Sequence, residues 1–308
     1  DKMSFFARML DMVITIFRYK KANYCLIDTY SSKNFYLSLL ASFCCRLIKI
    51  KYIPILHGGN LPHRLDNSPF LSKLLFKKSH LNVSPSAYLE YEFRKRGYNN
   101  IVLIPNNINI SDYIFTPRNV IRPYLLWVRA FDKIYNCEMA VHVLKTLKST
   151  YPNTKLCMVG PDKDGTLKNV IKEAQRANLT ISNDVTKYTD FDLLLPGKLS
   201  KPDWHNLSQE YDIFISTTNI DNTPVSVIES MALGLPVIST NVGGVPYLIN
   251  DGIDGFLVEK NSVLEMCSKI KDLLENRVSV QAIAKQARAK VEQFGWEVVK
   301  EKWLEVLK

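Results

Sequence analysis

The stretch from Phe214 to Leu257 limits what this chain can fold into more than any other part of it. An apolar run from Ile213 to Thr217 leads into a polar loop, then a short segment opened by Pro224 and closed at Gly234, then a second apolar run from Pro236 to Thr240. Runs that are apolar at every position, rather than alternately, read as parallel strands covered on both faces, with a helix between them. The helix ends are marked: Thr223 is placed to cap, Pro224 suits the first turn because its missing N–H has no partner there anyway, and Gly234 suits a left-handed stop.

Ligands of such sheets bind beyond the carboxyl ends of the strands, where helix N-termini present amides and a positive dipole. The Asn219 to Val225 loop sits at that edge, with Asp221 ahead of the helix and Glu229 one turn in, on the face of Val225 and Ser226. A second polar turn, Asn241-Val242-Gly243-Gly244, follows the next strand at the same edge. Together they predict an anion-friendly pocket with two carboxylates at its wall. Taken singly, each piece has a plainer reading as helix support, a solvated residue or a turn.

Strand and helix patterns alternate through the rest of the chain, so the fold class is α/β. The first half reads as helix Ser4 to Tyr19, strand Cys25 to Tyr30, buried helix Phe35 to Ile48, strand Tyr52 to Leu56, helix Pro69 to Lys78, strand Leu81 to Ser84, helix Ala87 to Arg96 and strand Ile101 to Pro105. Mixed polarity with Pro117 and Pro123 places a linker at Ser111 to Arg122. The second half runs from the strand Tyr124 to Val128 to amphipathic helices at Ser262 to Glu275 and Val278 to Phe294, and a closing helix spans Trp296 to Leu307. With 308 residues, two domains of ordinary size fit, divided between 116 and 117.

Charge separates the halves. Residues 1–116 hold 16 Lys and Arg against 7 Asp and Glu, whereas the remainder holds 24 against 23, so the net charge of +10 belongs almost wholly to the first half. Lys73, Lys77 and Lys78, and then Arg94, Lys95 and Arg96, share helices with Phe70, Leu74, Leu75, Leu89 and Phe93. Such faces can attract an anionic leaflet by about 1 kcal/mol per nearby basic residue. A charged surface without a partner reads equally well. Nucleic acid is set aside, because no recognised binding motif accompanies the charge. The apolar run around Phe35 to Cys45 is too short for a bilayer, which needs about 20 residues, and Lys2, Arg8 and Asp11 break up a secretory signal. Cys25, Cys44, Cys45, Cys137, Cys157 and Cys267 have no zinc-like spacing and read as reduced core thiols of a cytoplasmic protein.

Further turns fall at carboxyl edges. His57-Gly58-Gly59-Asn60 follows the strand Tyr52 to Leu56; its glycines permit close backbone approach and its imidazole can donate or accept a hydrogen bond. Arg129-Ala130-Phe131-Asp132-Lys133 follows Tyr124 to Val128, and an Arg and a Lys there suit a diphosphate. A solvated cluster of little energetic value is the plain reading of that turn.

These residues, together, resemble the donor-sugar site of retaining glycosyltransferases of the GT-B fold, family 4. The family signature is Glu, seven residues, Glu, then Met-Ala-x-Gly-x-Pro-Val and Gly-Gly-x-Pro. This chain has Asp221, seven residues, Glu229, then Met231-Ala232-Leu233-Gly234-Leu235-Pro236-Val237 and Gly243-Gly244-Val245-Pro246. The first acid is one methylene shorter than the family's Glu. Ile104-Pro105-Asn106-Asn107 resembles the Pro-Asn-Gly turn that ends the first domain.

The resemblance implies two Rossmann-like doubly wound domains facing a cleft, 1–116 joined by the closing helix 296–308 that crosses back onto it, and 117–295, and transfer of a sugar from a nucleotide-diphosphate donor to an acceptor hydroxyl. That acceptor is expected to be a glycan, lipid-linked, in cell-surface polysaccharide synthesis at the inner face of the membrane, with peripheral attachment and neither metal nor cofactor. It assigns His57 and Asp221 to the transferred sugar, with Gly58 and Gly59 beside His57. Arg129, Lys133 and the amides at Thr223, Pro224 and Val225 go to the diphosphate, Asn222 to donor binding, Glu229 to the ribose hydroxyls, and Lys198 with Leu199 to the base through their backbone. Family enzymes open with a strand and a glycine loop, whereas this chain starts at Asp1 with a helix, so an N-terminal portion is expected to be absent, or the sheet to be naturally reduced. Two other readings stand beside transfer: a donor-binding module unable to turn over, and a GT-B sugar-nucleotide epimerase.

Overall fold

The structure, a computed structural model, describes residues 4–185, 191–276 and 278–308; Asp1 and Lys2 lie outside these. The chain forms two compact units, the first from Asp1–Asn106, Asp221–Thr223 and Val299–Lys308, the second from Asn107–Ile220 and Pro224–Val298.

In the first unit β1 (Tyr24–Thr29), β2 (Lys51–Leu56), β3 (Asn82–Ser84) and β4 (Ile101–Leu103) form a parallel sheet in that order, so every connection winds the same way. Parallel neighbours need a crossover rather than a tight turn, and helices Asn34–Leu47 and Ala87–Lys95 supply two of them. Phe35, Phe76, Phe93 and Tyr98 fill the core, with the rings of Phe76 and Phe93 edge to face at 5.0 Å. Val299, from the helix Trp296–Val306, packs against Ile53, Val83 and Ile104.

Two details depart from the sequence reading. The helix expected over Pro69 to Lys78 is regular only to Ser72 and widens into a π-turn at Lys73–Lys77. The segment after His57 is not only a turn, for Leu61–Asn67 forms a short helix with Leu61, Pro62 and Leu65 buried. Its seven residues are too few to display a helical period in sequence.

The second unit holds β5 (Tyr124–Val128), β6 (Lys155–Val159), β7 (Ile181–Ser182), β8 (Leu193–Gly197), β9 (Ile213–Ser216), β10 (Val237–Thr240) and β11 (Phe256–Val258). Their order is β11-β10-β9-β5-β6-β8-β7, all parallel. From β5 the chain first winds one way, through β6 to β8, and then returns to the other side of β5 as β9, β10 and β11. The reversal lies between β5 and β9, the point where open α/β sheets leave a crevice at their carboxyl edge. Trp127 on β5 is buried against Phe131 and donates its indole N–H to Thr217 Oγ1 at 3.1 Å.

The boundary between the units lies at Asn106/Asn107, ahead of the 116/117 division read from sequence. The Ile108 N–H donates to Phe294 at 2.9 Å and holds the chain in the second unit. The expected linker, Ser111 to Arg122, is likewise packed there. Tyr113 is buried, and buried Arg118 donates to the carbonyls of Ser208 and Tyr211 at 2.6 and 2.8 Å. Prolines and mixed polarity marked a loop correctly, but not that an arginine inside it would satisfy backbone acceptors of a neighbouring turn.

The expected cap of the central helix is corrected as well. Pro224 is itself the N-cap residue of Val225–Ala232, with no side-chain cap, because the Thr223 hydroxyl donates to the Pro85 carbonyl instead. The stop at Gly234 does have φ +85°, and a Cβ there would lie 2.9 Å from the Thr116 carbonyl carbon. Gly234→Ala combines a strained backbone with that overlap. It is expected to cost about 1–3 kcal/mol of unfolding free energy, read from the denaturant midpoint; an unchanged midpoint would mean that the 115–118 segment yields freely.

Candidate functional site

At the carboxyl edge of the second sheet, four chain segments leave the strands and converge. Arg129 follows β5, Gly160-Pro161 follow β6, Lys198-Leu199 follow β8, and the helix Val225–Ala232 lies beyond β9. They surround a cleft of about 340 Å³, on whose wall are Arg129, Lys163, Lys198, Lys201 and Ser226. Four cations and no acid among the lining residues give it a positive potential that favours an anion with more than one negative charge. Ser226 Oγ is buried and has no hydrogen-bond partner among the described residues. An orphaned hydroxyl in the first helical turn at the cleft is a polar group left for a ligand.

The loops that carry these side chains are fixed to one another. The Arg129 N–H continues the ladder to Val159 at 3.0 Å, and its guanidinium lies over the Tyr135 ring at 4.9 Å. Asn219 donates its N–H to Ile134 at 2.8 Å and its side-chain amide to Lys133 at 3.1 Å, tying the loop after β9 to the turn after β5. Lys133 does not line the cleft. Its side chain is exposed, and its backbone N–H donates to Asp164 at 3.2 Å. Lys163 and Lys201 line it instead. Only their position one turn beyond a strand end, after Pro161 and Ser200, marked them in sequence.

Glu229 sits 5% exposed on the helix beyond β9. Its Oε1 accepts the Tyr113 hydroxyl at 2.8 Å and pairs with the Lys201 ammonium at 2.8 Å. It is therefore not the solvated helix residue that is the plain reading of its position. Burial, followed by the Glu229 charge, pushes the Tyr113 phenol well above its ordinary value, so it stays a donor at neutral pH. The Tyr113 ring packs on His205 at 4.6 Å. Burial holds the His205 imidazole below its ordinary value, outweighing the opposite pull of Glu229.

The remaining sequence candidates lie in the first unit. His57 Nε2 meets Asp28 Oδ1 at 2.9 Å and its ring stacks on Tyr30. The expected open approach at Gly58 and Gly59 is taken up by protein: a Cβ on Gly58 would be 2.8 Å from Ser31 N, and one on Gly59 would be 2.9 Å from the Asp221 carbonyl carbon. These glycines therefore let the β2 turn lie against the chain at Ser31 and Asp221. Asn222 donates to the Leu56 carbonyl at 3.3 Å and is bonded to the Ser86 hydroxyl, so its side chain and that of Thr223 are committed to structure. Asp221 Oδ1 accepts the Asn222 N–H at 2.8 Å.

The architecture matches known proteins. Residues 115–290, more than half of the chain, match the family model for glycosyl transferases group 1, and the protein belongs to that family. Its fold is GT-B: the solved Anabaena Alr3699/HepE, in complex with UDP-glucose, superposes with a TM-score of 0.79 at 17% identity, covering 98% of this chain and 82% of that one. Among curated relatives, the Arabidopsis thaliana sulfoquinovosyl transferase SQD2 is 26% identical over 165 residues, which is 52% of this chain and 29% of its own length. An Escherichia coli UDP-Gal:alpha-D-GlcNAc-diphosphoundecaprenol alpha-1,3-galactosyltransferase is 25% identical over 175 residues, 57% of this chain and 41% of its own. The chain thus matches less than half the length of either relative. No helix among the described residues is long and apolar enough to cross a membrane.

Because His205 is held neutral in the folded state and gains a proton more readily once unfolded, its contribution to stability is present above its ordinary value of 6.5 and is lost as pH falls below it. Denaturation from about pH 7.5 to about pH 5.5 should therefore destabilise the wild type more than His205→Gln. Parallel curves for the two proteins would show that His205 titrates alike in both states.

Proposed function

We propose that the protein is a retaining hexosyltransferase that moves a sugar from a nucleotide-diphosphate donor to a hydroxyl of a lipid-linked glycan. The acceptor belongs to cell-surface polysaccharide synthesis, and the enzyme works as a peripheral protein at the inner membrane face. The observation that carries the reading is the convergence of Arg129, Lys163, Lys198 and Lys201 around one cleft at the sheet's reversal point. The donors and acceptor named for the relatives are of this kind: UDP-glucose bound to HepE, and UDP-Gal with a diphosphoundecaprenol-linked sugar for the Escherichia coli enzyme.

In this reading the bond from the anomeric carbon to the diphosphate breaks as the bond to the acceptor oxygen forms on the same face, and the acceptor proton passes to the departing phosphate. The cations stabilise the charge that develops on the leaving group, which supports turnover without a metal. Arg129, by its planar fork, is the principal diphosphate ligand. Lys163, Lys198 and Lys201 add point charges, the backbone at Thr223, Pro224 and Val225 is kept for the diphosphate as the family resemblance has it, and the Lys133 side chain, which does not line the cleft, is left out of that role. Lys198 and Leu199 also meet the base, and Glu229 takes the ribose hydroxyls. Asp221 and His57, with Gly58, Gly59 and Asn222 shaping their turn, are assigned to the sugar. Asp221 and Glu229 are not the acid and nucleophile of a retaining glycosidase, because here the leaving phosphate does the work of a base.

Thermal unfolding with UDP, GDP and ADP in turn tests the donor site first. A rise in midpoint with one of them supports it, and no rise with any would overturn it. Asp221→Ala should then lower transfer at least about 100-fold while nucleoside diphosphate affinity stays within about two-fold. An unchanged rate would remove Asp221 from the sugar.

A further inference from the structure

Glu229 uses its two oxygens unequally. Both donors, the Tyr113 hydroxyl and the Lys201 ammonium, meet Oε1 at 2.8 Å, and among the described residues none donates to Oε2. The other buried carboxylates described in the same unit, Asp212 and Asp254, look different. Asp212 takes the Arg122 N–H and Nε on Oδ2 and the Arg122 Nη2 on Oδ1. Asp254 takes the Asn250 N–H on Oδ1 and Lys290 on Oδ2. A buried acid that existed only to hold the fold would be expected to have both oxygens engaged in the same way.

The two donors also differ in kind. Tyr113 is 4% exposed and is held by its ring against His205, so its hydroxyl is a fixed, neutral donor that leaves the carboxylate its charge. Lys201 has a side chain 65% exposed and lines the cationic cleft. Its pairing therefore ties Glu229 to the cleft wall but is screened by water. Two donors on one oxygen set the torsion of a carboxylate that would otherwise turn freely about its terminal bond.

We infer that Tyr113 and Lys201 are positioning residues that orient Glu229, Tyr113 carrying most of the effect, so that Oε2 is presented to the vicinal diol of a ribonucleotide. The inference rests on the reading of Glu229 as the ribose ligand, and it adds a specificity determinant: discrimination of ribose from its deoxy forms depends on a tyrosine in the segment before β5.

The test is calorimetric binding of UDP and of 2′,3′-dideoxy-UDP to the full chain and to three variants. The ratio of the two affinities is the readout, because Lys201 also meets the diphosphate cleft. The wild type is expected to prefer UDP by about ten-fold or more, and Glu229→Gln should abolish the preference. Tyr113→Phe, which keeps the ring and its packing, should reduce the ratio about five-fold while dideoxy binding stays within about two-fold. Lys201→Met, at an exposed site with little risk to folding, should reduce the ratio by a smaller factor. If Glu229→Gln abolishes the preference and Tyr113→Phe retains it, the positioning role is overturned and the ribose reading stands. If Tyr113→Phe weakens both ligands equally, Tyr113 is structural only and the inference is again overturned. If the wild type binds both ligands equally, the ribose reading itself fails, and the inference with it.

Discussion

Everything distinctive in this protein depends on a constraint of parallel strands. Two of them cannot be joined by a tight turn, so each connection crosses a face of the sheet and all carboxyl ends finish at one edge. In the second unit this gathers the segments after β5, β6, β8 and β9 at that edge, although they are distant in sequence. The reversal between β5 and β9 then opens the crevice in which their side chains meet. In the first unit the four strands wind in one order without reversal.

Within that frame the chemistry is a balance of charge. The cleft concentrates a half-buried arginine and three exposed lysines, whose heads are individually worth little but which together favour a multiply charged anion. Glu229, a buried acid beside them, is kept in place by Tyr113 and Lys201 rather than by a cation sealed in the core. A fully buried ion pair at that point would have cost desolvation energy that its attraction need not recover. A neutral phenol and a solvated lysine avoid much of that cost.

Loop fixation is the other half of the design. Asn219 spans the turn after β5 with two hydrogen bonds, Thr217 accepts the Trp127 indole, and Asn222 and Thr223 are anchored on backbone carbonyls of the first unit. Polar residues that look like ligand contacts in a loop are in part the fasteners that keep the true contacts still. Five of the six cysteines are likewise plain core residues, and Cys25 is half-buried.

The α/β class, the parallel sheets and their common carboxyl edge could be read from sequence, because apolar runs, prolines and glycines act locally and their consequences repeat along the chain. The placement of Arg129, Lys198 and Glu229 at that edge could be read for the same reason, since each stands at a fixed offset from a strand end. Packing alone shows that Lys163 and Lys201, rather than the Lys133 side chain, line the cleft, that Thr223 donates to Pro85 instead of capping its own helix, and that Tyr113 meets Glu229. Those outcomes turn on contacts between residues far apart in the chain. A local pattern carries no distance between them; packing does.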